Sequence, residues 1–216
     1  ILVTGFGPFP GAPRNASSLL AEALAAAAVR SLPAYKVRAA ALPTEWEAAP
    51  LRLGELIAEH DPVAAIHFGI SRRAHGFVVE MRARNLAAKI CDARGDYPPA
   101  PCVVTGGPEE IGTTLPVNLI VDRLRRLRLP VQLSRDAGDY LCNAILYHSL
   151  SDVRRRAERP AGLRRGFIHI PDRLLTGERR NGRPATPSKL DWEGAVAGGL
   201  AILAACAGAA GQIAHR

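Results

Sequence analysis

Aromatic residues make up only 5% of the 216 positions, methionine occurs once, and lysine is confined to Lys36, Lys89 and Lys189. The shortage of aromatics bears on the formal charge of +8. Single-stranded nucleic acid is gripped by aromatic faces interleaved with cations, yet the arginine clusters at 123–128, 154–159 and 164–165 carry no such rings. The charge therefore reads as solvated helix faces, and no nucleic-acid partner is expected. The Ala-rich stretch at 20–29 contains Glu22 and stops at Arg30, too short to span a bilayer, so no membrane partner is expected. The chain opens on "ILVTGF" without the basic, apolar and cleavage-site series of a secretory signal, which gives a cytoplasmic expectation by default. Four cysteines (Cys91, Cys102, Cys142 and Cys206) form no Cys-x-x-Cys pair. Neither a zinc ribbon nor a small disulfide scaffold is suggested.

What is present is an ordinary globular composition, 48% hydrophobic and 22% charged, at a length that fits a single domain over 1–216. Short β-branched runs at 1–6, 36–42, 63–69, 76–85, 131–134 and 166–171 predict strands. Helical patterns fall at 16–31 behind Asn15, and at about 45–59, 116–128, 139–157 and 191–209. Such alternation argues for a layered α/β fold around a largely parallel, buried sheet. The run "VAAIHFG" reads as buried on both faces, whereas "FVVEMRARN" alternates and suits an edge strand or an antiparallel pairing. Residues 91–115 and 171–189 read as long loops, plausible as lids or oligomer contacts.

Chemistry gathers at three places. In "SRDAGDYLCNAILYHSL" (134–150), Gly138 and Asp139 read as a turn and a cap, which puts Cys142 in the first turn of a helix. Free backbone N–H groups and the helix dipole favour a thiolate there, although most cysteines are inert core filler. His169 sits in "GFIHIP" near the carboxyl end of a strand, where α/β sheets form ligand crevices. A satisfied core histidine is the plainer reading of it. Glu80 lies among Val78, Val79 and Met81, and a carboxylate in such a setting needs a partner if buried. A nucleophile, a base and an orienting acid from three elements have the makings of a triad. His67 remains a competitor for the base. The N-terminal "TGFGPFPG" imitates a dinucleotide-binding loop but is interrupted by Pro8 and Pro10, and no helix starts until after Asn15. Phe6 and Phe9 suggest an exposed apolar wall instead, suited to a small uncharged ring.

With these segments in view, the sequence resembles the pyroglutamyl peptidase I family of cysteine peptidases, also called pyrrolidone carboxyl peptidases. "LVTGFGPFPG", "IHFG" followed by Glu80 and Asn85, "DAGDYLCN" and "GFIHIP" carry the resemblance in order. It implies a three-layer α/β/α sandwich with a twisted, mostly parallel mixed sheet, assembled as a homodimer or homotetramer, with no metal and no cofactor. It further implies Cys142 as nucleophile, His169 as base and then acid, and Glu80 as the group that orients the imidazole. Phe6, Phe9, Thr44, Ile90, Tyr140 and Leu141 match positions of an apolar pocket for the pyrrolidone ring, with backbone near Gly69 and Ile70 holding the lactam. The implied activity is hydrolysis of the bond after an N-terminal pyroglutamyl residue through an acyl-enzyme. Its partners would then be peptides with an N-terminal pyroglutamate.

Two other readings stand beside it: a catalytically silent relative that binds cyclised peptide ends or related lactams, and a nucleotide-binding protein, which the proline-broken loop opposes. The sequence departs from the family pattern at Arg72 and Arg73, where many members carry small residues, at Pro10, and at Lys89, where arginine is common. These departures bear on substrate range.

Overall fold

The computed structural model describes residues 1–155, 162–175 and 189–211. In chain order its elements are β1 (Leu2–Phe6), α1 (Ala16–Ser31), β2 (Arg38–Leu42), α2 (Ala48–His60), β3 (Ala64–Ser71), β4 (Phe77–Glu80), β5 (Arg82–Arg84), β6 (Glu110–Gly112), α3 (Val117–Arg126), β7 (Val131–Ser134), α4 (Leu141–Arg155), β8 (Arg164–Pro171) and α5 (Trp192–Gly211). Six strands form one sheet in the order β2-β1-β3-β8-β4-β7. β1, β2, β3 and β8 run parallel, while β4 meets β8 antiparallel and takes β7 along with it. The sheet is thus mixed and mostly parallel.

Strand alternation divides the core between two faces. Ile66, Phe68, Ile168 and Ile170 point toward α1, α3 and α5, which bring Leu20, Leu24, Ile120, Leu124 and Ile202. Leu2, Ala65 and Phe167 point the other way, toward Leu53 and Ile57 of α2 and Ile145 and Leu146 of α4. Helices on both faces make three layers. The start of α1 is fixed by Asn15, whose side chain accepts from the Ser17 amide at 3.1 Å. Gly5 lets β1 lie against this turn: a Cβ there would come within 2.1 Å of the Ser17 backbone.

Some expectations need correction. The run 76–85 is not one strand, because at Met81 the chain leaves β7 and pairs instead with β6 in a separate two-stranded sheet. Of the two placements expected for it, β4 takes the antiparallel pairing, with β8, and is not an edge strand, since β7 flanks its other side. The loop expected at 91–115 contains β6. Of the second expected loop, residues 176–188 lie outside the described residues. Among the described residues, no helix is long and apolar enough to cross a membrane.

Candidate active site

The four parallel strands end at one edge of the sheet, and the candidate residues collect there. α4 begins behind a tight turn. The Asp136 amide donates to Ser134 Oγ at 3.0 Å, the Gly138 amide donates to Asp136 Oδ1 at 3.1 Å, and Gly138 takes a φ of +83°, for which glycine is the favoured residue. The first helical bond runs from the Ala144 amide to the Tyr140 carbonyl, 3.1 Å. The cap position is therefore Tyr140 and not Asp139, whose carbonyl accepts from Ala88 instead. Cys142 is the second residue of α4 and half-buried. Its own amide, in the first helical turn, has no carbonyl within the helix to bond.

On β8, Phe167 and His169 share the face toward α4, with ring centroids 4.9 Å apart. The His169 Nδ1 lies 2.8 Å from Glu80 Oε1 in a buried pair. Nδ1–H donates to the carboxylate, which fixes the tautomer and leaves Nε2 for the Cys142 thiol, the imidazole's other hydrogen-bond partner. Burial alone pulls the His169 pKa down. The negative sulfur of Cys142 and the Glu80 carboxylate outweigh it and push the pKa up to about 10. His169 is thus held as an imidazolium at neutral pH. Gly69, beside His169 in the β3–β8 register, is what admits the sulfur: a Cβ there would lie 3.0 Å from Cys142 Sγ and 2.6 Å from the Phe167 ring.

His67 does not compete. It is fully buried, with Nδ1 on Thr4 Oγ1 and Nε2 on Ser149 Oγ, each at 2.8 Å. Burial first, and the Arg165 guanidinium second, lower its pKa to about 3, so it stays neutral. Both ring nitrogens are committed to the fold.

Of the expected pocket residues, Phe6 is buried rather than exposed, its ring 6.4 Å from Phe167. Its amide donates to Ser17 Oγ, which draws the strand end inward. Phe9 is half-buried on a tight turn bridged to Ala12. The Gly7 carbonyl accepts from Asn15 Nδ2 at 3.1 Å and from Thr44 Oγ1 at 3.5 Å, tying that turn to the end of β2. Ile90 is 48% exposed, whereas Leu141 is only 1% exposed and packs into the core, offering a ligand almost no surface. Ile70 follows Gly69 one residue before the end of β3.

Two residues that organise this wall were not foreseen. Trp46 stands edge-on to Tyr140 with centroids 5.0 Å apart, and its indole N–H donates to the Ile90 carbonyl at 2.8 Å. It thereby joins the Thr44, Ile90 and Tyr140 segments, and one of only two tryptophans beside Thr44 was the available signal. Asn143, next to the thiol and fully buried, accepts from the Arg84 amide and donates to the carbonyls of Arg84 and Leu86. A carboxamide on an otherwise apolar helix face marked it. Tyr140 stays a neutral phenol, since burial first, and then Asp92, Cys91 and Cys142, push its pKa up to about 12. Among the described residues, no group of three or more His, Cys, Asp or Glu side chains could hold a metal ion.

The comparisons with known proteins point one way. A family model described as pyroglutamyl peptidase matches residues 1–205. The pyrrolidone-carboxylate peptidase of Pectobacterium carotovorum is 31% identical over 88% of this chain and 86% of its own length. The enzyme of that name from Bacillus cereus is 30% identical over 87% and 84%. Among solved structures, pyroglutamyl peptidase I of Bacillus amyloliquefaciens superposes with a TM-score of 0.78 at 28% identity, covering 95% of this chain and 96% of that one. A mutant pyrrolidone carboxyl peptidase from Pyrococcus furiosus gives 0.81 at 28% identity, over 96% and 98%.

Proposed function

This chain belongs to the pyroglutamyl peptidase family, and from that premise we propose that it is a cysteine exopeptidase releasing pyroglutamate from peptide N-termini. Cys142 is the nucleophile, His169 the proton carrier and Glu80 the residue that holds His169. The observation that carries the assignment is the buried 2.8 Å contact between His169 and Glu80, with the Cys142 thiol on the same imidazole.

A peptide that begins with pyroglutamate has its first nitrogen closed in a lactam, so it has no ammonium for an ordinary aminopeptidase to grip. The site suits it by offering aromatic and aliphatic walls rather than a carboxylate at the thiol. The Cys142 thiolate adds to the carbonyl that joins the ring to the next residue. The Cys142 amide, free at the helix start, faces the oxyanion that develops. As the tetrahedral species collapses, the C–N bond breaks and imidazolium Nε2–H gives its proton to the departing amine. His169, now neutral, takes a proton from water. The resulting hydroxide attacks the thioester, and pyroglutamate leaves as Cys142 regains its thiolate. An intact nucleophile, base and orienting acid support turnover over silent binding.

The test is release of a fluorescent amine from its pyroglutamyl amide, with a prolyl amide as control. Turnover should be confined to the pyroglutamyl compound. Cys142→Ala and His169→Ala should each lose at least about 10³-fold while remaining folded, as circular dichroism reads it. Wild-type activity in Cys142→Ala would end this assignment. Assembly as a homodimer or homotetramer belongs to the same proposal, and light scattering on the eluting protein measures it.

A further inference from the structure

The strand order has a consequence for substrate choice. β8 lies between β3 and β4, so the connection between those two strands must cross the end of β8. Ser71 pairs with Pro171 on one side and Val78 with His169 on the other. Residues 72–76 therefore arch over the point where β8 leaves the sheet, just beyond His169. The arch is tied down at its base, with the amides of Ala74 and Asp172 donating to the Ser71 carbonyl at 3.3 and 3.2 Å. It carries Arg72 and Arg73, both exposed, and neither forms an ion pair among the described residues. Arg173 adds a third guanidinium, with Asp172 Oδ1 3.9 Å from its Nε.

The other flank of the site has the opposite sign. A cleft of about 410 Å³ beside Trp46 is lined by Glu45, Glu47, Asp92 and Asp96, with Arg94 the one cation among the described lining residues. The reaction orients a substrate between these flanks. Its ring occupies the side of Thr44 and Tyr140, and its leaving nitrogen must meet His169. The rest of the peptide then continues over His169 toward the arch.

We propose that Arg72 and Arg73 select pyroglutamyl substrates bearing a carboxylate just beyond the scissile bond. That carboxylate is either an acidic side chain or the terminal carboxylate of a very short peptide. The proposal rests on the peptidase reading of the Cys142–His169 site.

The test measures kcat/KM for pyroglutamyl-alanine amide, pyroglutamyl-glutamate amide, pyroglutamyl-alanine with a free carboxylate, and pyroglutamyl-lysine amide. Each is run with wild type, the Arg72→Gln/Arg73→Gln double variant and the Arg72→Lys/Arg73→Lys double variant. Wild type should prefer the carboxylate-bearing substrates over the neutral amide by about tenfold. The preference should reside in KM and shrink in 0.5 M salt as screening sets in. The glutamine pair should bring the ratio to about one, and the lysine pair should keep most of it. The two acidic substrates separate a side-chain carboxylate from a terminal one. Turnover of the neutral amide with no acidic preference, or a preference that survives the glutamine pair, overturns the role of the arch alone. No turnover of any of the four compounds overturns the peptidase reading, and this proposal with it.

Discussion

At the scale of single residues, the charge on His169 is the quantity to follow. Its pKa stands above the ordinary histidine value, at about 10, because two anions outweigh its burial. The imidazolium is therefore present below that pH and lost above it, so kcat/KM should fall on the alkaline side with a midpoint near 10. Glu80→Gln removes one of the anions. It should move that midpoint to lower pH and cost about 10²-fold in kcat/KM, with some activity left because an amide oxygen still accepts from Nδ1–H. An unmoved alkaline limb in Glu80→Gln would show that the carboxylate does not hold this proton. The same sign governs stability: a pKa raised above 6.5 stabilises the fold fully below pH 6.5, and the contribution fades as pH climbs through 10. Gly69 is the second residue of consequence. Gly69→Ala drives a methyl into the Phe167 ring and against Cys142 Sγ. Misplacing the sulfur by a fraction of an ångström should lower kcat by about 10²-fold and slow alkylation of Cys142 by iodoacetamide in parallel.

At the scale of elements, Asn143 clamps the segment after β5 to the start of α4 through three hydrogen bonds. Asn143→Ala leaves buried amide and carbonyl groups unpaired. It should cost about 2–4 kcal/mol, read from urea unfolding midpoints, and should raise KM because Ile90 rides on the same segment. The elements also show what a sequence discloses and what it withholds. α1 was legible because Asn15 and the apolar spacing behind it are local signals, and the observed helix begins where they predict. Cys142, His169 and Glu80 were legible as residue types on the right elements. The break at Met81 was not, since the alternation of Val78 to Arg84 continues through it. Only the arrival of β6, itself hidden in a glycine- and proline-rich stretch, redirects the pairing. The commitment of His67 to Thr4 and Ser149 was equally invisible, because both partners are remote in sequence. Phe6 looked exposed for the same reason: nothing local reveals that its amide is drawn to Ser17.

At the scale of the whole molecule, His67 links β1, β3 and α4 across one core, and its burial without charge sets an acid limit to stability. Its pKa is depressed to about 3, so between pH 6.5 and 3 the unfolded chain binds a proton that the folded one refuses. The stability it lends is complete above pH 6.5 and is lost as pH falls toward 3, by up to about 1.4 kcal/mol per pH unit. Urea midpoints across that range should show a shallower acid slope in His67→Gln than in wild type. Identical slopes would place the acid sensitivity elsewhere.

The place of β8 also matters while the chain is being made. Among the described residues it is the last strand in the chain, yet it belongs in the middle of the sheet, between strands that precede it by about a hundred residues. Until it arrives, β3 and β4 present bare, apolar edges to each other and to other nascent chains, the kind of surface on which aggregation starts. Its insertion joins the two halves of the sheet and brings His169 to Glu80 across 89 residues of chain, a non-local pairing of the kind that forms slowly. The contact between His169 and Glu80 is therefore made only once β8 is in place, so completing the sheet and assembling the candidate site are the same event.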